Sequence, residues 1–166
     1  HYPGDYGFIP QTYYDDNDPF DVLVMTNLPT FPGCILEARP VGMFRMTDRG
    51  ESDDKILAVL HYDPFFAEIG DYTDLPAHYL KEVEHFFTVY KDLEGARVKP
   101  IGWENATVAK DRIRYAVNLY SDMRAGRLPK HGRAASGTRG RKSTRPSERP
   151  AKAAGRGKRE APRRQR

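Results

Sequence analysis

Apolar residues fall into short runs in the first half of the chain and shift to a helical spacing in the second. Residues 20–27, 33–37, 41–46 and 55–62 are rich in β-branched or apolar side chains and are bounded by Gly, Pro or Asp clusters. Each reads as a strand, and short strands at this interval predict a small antiparallel barrel. Two helices follow. Asp74 is the expected N-cap of the first, with Pro76 in its first turn. Leu80, Val83, Phe87 and Tyr90 then make one apolar face, and Gly95 closes the segment. Asn105 is the expected cap of the second, with Ala109, Ile113, Ala116 and Tyr120 on its buried side. Residues 97–102 offer one more strand, and Tyr2 to Phe8 read as an aromatic turn.

Charge divides the chain where hydropathy does. Residues 129–166 carry 14 Lys/Arg against 2 Asp/Glu, a net of +12, whereas residues 1–128 carry 13 against 21, a net of −8. The formal +4 therefore hides an acidic globular part, residues 1–128, and a basic tail, residues 129–166. The tail lacks large apolar side chains, so burial cannot offset the entropy of ordering it, and it is expected to be disordered. It reads as a solubilising extension, as translation of a shifted frame in GC-rich DNA, or as a tether for nucleic acid or another polyanion. The last ranks below the other two, because no aromatic side chain is present to stack on bases. Cys34 is the one cysteine, so no intrachain disulfide forms, and a small hydrophobe in a strand is its expected role. No apolar run approaches membrane-spanning length. A cytoplasmic protein without membrane contact is the expectation.

The acidic residues are not evenly spread. Asp16-Asn17-Asp18-Pro19-Phe20-Asp21 sets three carboxylates within six residues, directly before Val22-Leu23-Val24-Met25. Close carboxylates repel, and one is driven toward protonation unless a cation intervenes. Oxygen donors at this density suit hard divalent ions such as Mg²⁺. The same residues also make good turn chemistry, and from this stretch alone a solvated turn and a metal loop stand equal. An EF-hand is excluded, because its required Gly and Glu positions hold Asp21 and Asn27. A second acidic group, Asp48, Glu51, Asp53 and Asp54, follows Met46, and Asp53 shares a strand face with Lys55. Tyr90-Lys91-Asp92 ends the first helix. Carboxylates, a few ammonium groups and Tyr hydroxyls together suit a polyanion bridged by metal ions.

The chain resembles the Mg²⁺-dependent soluble inorganic pyrophosphatases with an OB fold, from about Tyr2 to Tyr120. Tyr2-Pro3 and Tyr6-Gly7 lead into Asp16-x-Asp18-Pro19-x-Asp21-Val22. Arg39-Pro40-Val41-Gly42, Met46-Thr47-Asp48, Asp53 with Lys55, His85-Phe86-Phe87, Tyr90-Lys91-Asp92-Leu93-Glu94 and Gly102-Trp103-Glu104-Asn105-Ala106 follow in order. The resemblance implies an α+β, mainly β fold: an OB-like antiparallel barrel with two C-terminal helices. It implies hydrolysis of pyrophosphate to two phosphates without a covalent enzyme intermediate. Asp16, Asp21, Asp48 and Asp53 would be metal ligands, and Asp18 would hold and deprotonate the attacking water. Tyr6, Lys55, Tyr90 and Lys91 would grip phosphate oxygens, and Tyr2 would line the site. Several Mg²⁺ ions per site are expected, with Mn²⁺ or Zn²⁺ as possible substitutes. A homo-oligomer, hexameric in a bacterial source, is also implied, and His85 matches a position near subunit contacts. Trp103 is expected to pack in the core near the second helix. His61 and His78 are expected to be solvated surface.

In the family, opening strands precede the Tyr2 motif and carry a Lys, an Arg and acidic residues. The expectation is that residues 1–166 are a fragment of such a domain rather than a natural truncation. Losing a preorganised donor costs roughly 100- to 1,000-fold in rate, so little turnover is expected of this stretch alone. The rival reading is an inactive homologue, or an OB-type binding module holding nucleic acid by its tail.

Overall fold

In the computed structural model, residues 1–28, 30–95 and 98–127 are described. The expected tail over 129–166 lies outside them. Six strands form one sheet: β1 (Asp5–Phe8), β2 (Asp21–Met25), β3 (Ala38–Asp48), β4 (Glu51–Ser52), β5 (Lys55–Leu60) and β6 (Val98–Asn105). Their order is β1-β2-β5-β3-β4, with β6 also on β3. Two helices complete the fold, α1 (Ala77–Val89) and α2 (Ala106–Arg124). The mainly β, α+β class holds. The described strands form an open, mixed sheet, and its one departure from the expected antiparallel pairing is that β2 and β5 run parallel.

The central strand explains the layering. Ile56-Leu57-Ala58-Val59 is a continuous apolar run, the pattern of a strand covered on both faces. Leu57 and Val59 face a core that includes Leu23, Phe44, Val83 and Phe87, the last two from α1. Ile56 and Ala58 face a second core with Tyr14, Phe20, Met43, Ala109 and Ala116, the last two from α2. Alternation along β2 repeats the division, with Leu23 on one side and Val24 on the other. Full burial of a side chain such as Phe87 contributes roughly 2–3 kcal/mol. Gly42 is required where β3 passes the turn over Tyr72–Asp74: a Cβ there would lie 2.8 Å from the Tyr72 Cβ.

Several local expectations change. Residues 33–37 form no strand. Gly33 adopts φ +89°, and the Cys34 N–H closes a turn on the Phe31 carbonyl. Asp74 does not cap α1, which begins after Pro76; its carboxylate instead accepts from the Gly70 and Asp71 N–H groups. α1 stops at Val89, and Gly95 ends a separate 3-10 turn, Asp92–Glu94. The aromatic segment near the start supplies β1, antiparallel to β2. Asn105 caps α2 as expected, accepting from the Val108 N–H. Trp103 is a packing residue, but its partners are Phe44 and Tyr72 on the α1 side of the sheet. His61, His78 and His85 are exposed, with His78 beside Glu82. Among the described residues, no helix is long and apolar enough to cross a membrane.

Candidate active site

Three pieces of chain converge at one end of the β2–β5 pair. The parallel register aligns Val22 with Ile56, so Asp21 and Lys55, each one residue earlier, stand side by side at the strand openings. Asp53, two residues before Lys55, points the same way. Asp48 ends β3 and reaches this end through the β3–β4 hairpin. The segment before β2 brings Asp16 and Asp18, not by an extended backbone but through a turn in which Asn17 takes φ +71°. The Asp18 N–H donates to Asp16 Oδ1 at 3.2 Å.

These pieces line a cavity of about 610 Å³. Its wall includes Asp16, Asp18, Asp21, Asp48, Asp53, Tyr6, Lys55, Tyr90 and Lys91, nine of the ten residues singled out from sequence. Tyr2 is not in the wall. It stacks on Tyr6 with ring centroids 4.4 Å apart and packs on Phe86. Tyr6 and Tyr90 both lean on Phe87. Arg49 also lines the cavity, and the only sequence signal for it is a cation inside an acidic turn.

Lysines neutralise part of the carboxylate charge. Lys55, its side chain 3% exposed, hydrogen-bonds both Asp21 and Asp53. Burial alone would lower the pKa of its ammonium, but the Asp21 and Asp53 charges outweigh it and the pKa is raised. Lys91 donates to Asp48 Oδ2 at 2.6 Å and lies 3.5 Å from Asp53 Oδ2. Tyr6 donates to Asp21 Oδ2 at 2.6 Å. Burial and then that bond push the Tyr6 pKa far up, and burial raises Tyr90 as well, so both stay protonated donors at neutral pH.

The compensation is incomplete. Among the described residues, six carboxylates line the cavity against three cations. Asp48 Oδ1 and Asp53 Oδ2 are buried without a hydrogen-bond donor among the described residues, an arrangement costly for carboxylate oxygens. Asp16 is held up to about 6 by burial first and then by the Asp53 and Asp21 charges, against the opposing pull of the Asp18 N–H. Asp16, Asp21 and Asp53 each offer an oxygen within 4.8 Å of the others. An all-oxygen set with unsatisfied buried acceptors fits a hard divalent cation. Asp48, joined to Asp53 through Lys91, gives a further acidic position beside it.

A buried brace holds this arrangement from behind. Tyr14 Oη donates to Asp54 Oδ2 at 2.7 Å, and Asp54 Oδ1 accepts from the Met46 N–H at 3.2 Å. One carboxylate thus ties together the Asp16–Asp18 turn, the end of β3 and the approach to β5. Asp54, although part of the second acidic group, turns away from the cavity and is 1% exposed. On the outer side Tyr115 of α2 donates to Asp15 Oδ1 at 2.9 Å. Tyr14→Phe is expected to destabilise the fold by about 1–2 kcal/mol, the cost of leaving a buried acceptor short of a donor. Denaturant unfolding reads it, and unchanged stability would show that the brace contributes nothing.

Comparison with known proteins agrees with this geometry. The inorganic pyrophosphatase family matches residues 1–121. The chain is 54% identical over 123 residues to the inorganic pyrophosphatase of Haloferax volcanii, covering 74% of this chain and 70% of that protein. It is 50% identical over 122 residues to the Pseudomonas aeruginosa inorganic pyrophosphatase, covering 72% and 70%. Among solved structures, the Thermus thermophilus inorganic pyrophosphatase superposes with a TM-score of 0.70 at 39% identity, covering 72% of this chain and 71% of that one. An Anaplasma phagocytophilum structure described as an inorganic phosphatase gives 0.71 at 41% identity, covering 73% and 72%. With the Asp16–Asp21–Asp53 cluster at the heart of the matched region, the chain belongs to the inorganic pyrophosphatase family, whose members depend on a divalent metal.

Proposed function

We propose that this chain hydrolyses inorganic pyrophosphate to two orthophosphates with Mg²⁺. The observation that carries the reading is the three-carboxylate cluster of Asp16, Asp21 and Asp53, set in a cavity that also presents Lys and Tyr donors. Asp16, Asp21 and Asp53 would hold one ion, and Asp48 with Asp53 a second. Bound Mg²⁺ would neutralise phosphate oxygens and acidify a coordinated water. Mn²⁺ or Zn²⁺ could substitute.

The side chains divide the remaining work. Asp18 lines the cavity, and its carboxylate forms no ion pair among the described residues. It would orient the attacking water and accept its proton as the water oxygen bonds to phosphorus and the bridging P–O bond breaks. Tyr90 stays protonated and donates to phosphate oxygens, and Tyr6 would do the same by turning its one hydroxyl proton away from Asp21. Lys55 and Lys91 give positive charge to oxygens that gain negative charge as the bond breaks. Tyr2 supports the Tyr6 ring from outside the cavity. A homo-oligomeric assembly, hexameric for a bacterial source, belongs to the same proposal. Exposed apolar side chains such as Leu93 and Ile101 support it.

The acidic cavity disfavours a nucleic-acid module, because without metal its wall repels phosphates. The test is pyrophosphate binding by calorimetry and phosphate release, each with and without Mg²⁺. Both are expected to require Mg²⁺, and robust release by residues 1–166 would overturn the expectation of little turnover from this stretch alone. Pyrophosphate that neither binds nor is cleaved at millimolar Mg²⁺ would overturn the proposal.

A further inference from the structure

The β3–β4 hairpin is closed by two residues, Arg49 and Gly50, between the register partners Asp48 and Glu51. Both have positive φ, +52° for Arg49 and +93° for Gly50. This is the signature of a type I′ turn, whose first position favours Asn, Asp or Gly. Arginine has no local reason to be there. Strained non-glycine residues of this kind gather at functional sites, where another interaction holds them.

The cavity wall offers that interaction. Arg49, Lys55 and Lys91 are its cations among the described residues. Lys55 is bound to Asp21 and Asp53, and Lys91 to Asp48. The charge of each lysine is therefore already shared with a carboxylate before an anion arrives. Arg49 is exposed and has no ion pair or side-chain hydrogen bond among the described residues. Its planar guanidinium can meet two oxygens of one phosphoryl group at once, which an ammonium cannot match.

We infer that Arg49 is a substrate-binding residue of this cavity, giving a bidentate contact to one phosphoryl group of pyrophosphate. The inference rests on the pyrophosphate reading above. It gives the hairpin two tasks: Asp48 faces the metal side of the substrate, and the next residue takes its free oxygens.

The test is Arg49→Asn, which suits the turn and removes the charge, beside Arg49→Lys, which keeps the charge and loses the fork. For Arg49→Asn the pyrophosphate Kd with saturating Mg²⁺ is expected to rise about tenfold, the low end for a lost charge-assisted bond. KM should rise in step, with kcat little changed, while the melting temperature holds or increases. Arg49→Lys should lie between wild type and Arg49→Asn in affinity. Wild-type affinity in Arg49→Asn would overturn the inference and leave the pyrophosphatase reading standing. A fall in melting temperature together with affinity would assign Arg49 to holding the turn and would also overturn it. Absence of Mg²⁺-dependent pyrophosphate binding in the wild-type chain would overturn both readings together.

Discussion

Replacing Asp18 by Asn is expected to lower pyrophosphate turnover about a thousandfold, within the range for loss of a general base. The substitution keeps size and polarity but removes the capacity to take a proton at neutral pH. Asp18 is exposed at the cavity, and its carboxylate makes no hydrogen bond among the described residues; only its backbone N–H and carbonyl are engaged. The fold should therefore be untouched, with stability within about 0.5 kcal/mol of wild type. Mg²⁺ and pyrophosphate should still bind, so the loss should appear in kcat rather than in KM. Retention of more than about a tenth of the turnover would rule out Asp18 as the base, since that role supplies at least a hundredfold. A large drop in melting temperature would point instead to a structural defect.

The second large effect is on stability. Lys55→Met should destabilise the metal-free protein by about 3 kcal/mol, because it removes one partner of a buried ion pair and leaves the others uncompensated. Asp53 is 6% exposed, and without the ammonium it would face Asp21 and Asp16 across a few ångströms. The melting temperature should fall by about 10 °C. Mg²⁺ should restore more stability to the variant than to wild type, since a divalent cation would take over the neutralising role. A variant as stable as wild type without metal would mean that the carboxylates are already balanced, contrary to the orphaned oxygens on Asp48 and Asp53. Thermal melts with chelator and with Mg²⁺ separate these cases.

Much of the site could be read from the chain because its residues lie at spacings that strand geometry converts directly into position. Asp53 and Lys55 are two apart, so they share a face whatever sheet they enter. The Asp16–Asp21 segment was informative for a different reason: its charge density has no use in folding. Other features depended on partners distant in sequence. The parallel β2–β5 pairing leaves no local mark, because an apolar strand of either direction has the same composition. Residues 33–37 look like a strand until the left-handed Gly33 turns the chain. Asp54 and Asp53 are chemically identical neighbours between β4 and β5, and only the path of the folded backbone there sends one into the cavity and the other to Tyr14. Tyr2 was grouped with Tyr6 by their motif, yet the stack sets one ring behind the other. Asp74 had the right chemistry for a cap, but its bonds go to the turn before it.

The parallel pairing also bears on how the cavity comes into being. Asp21 and Lys55 are 34 residues apart, and β2 and β5 cannot meet through a hairpin. Their contact requires closure of a long loop and the placement of β3 alongside, which are slow, non-local events in folding. No local segment can hold the lysine against both carboxylates beforehand. The cavity is therefore a late product of folding, and substitutions within it should speed unfolding far more than they slow folding.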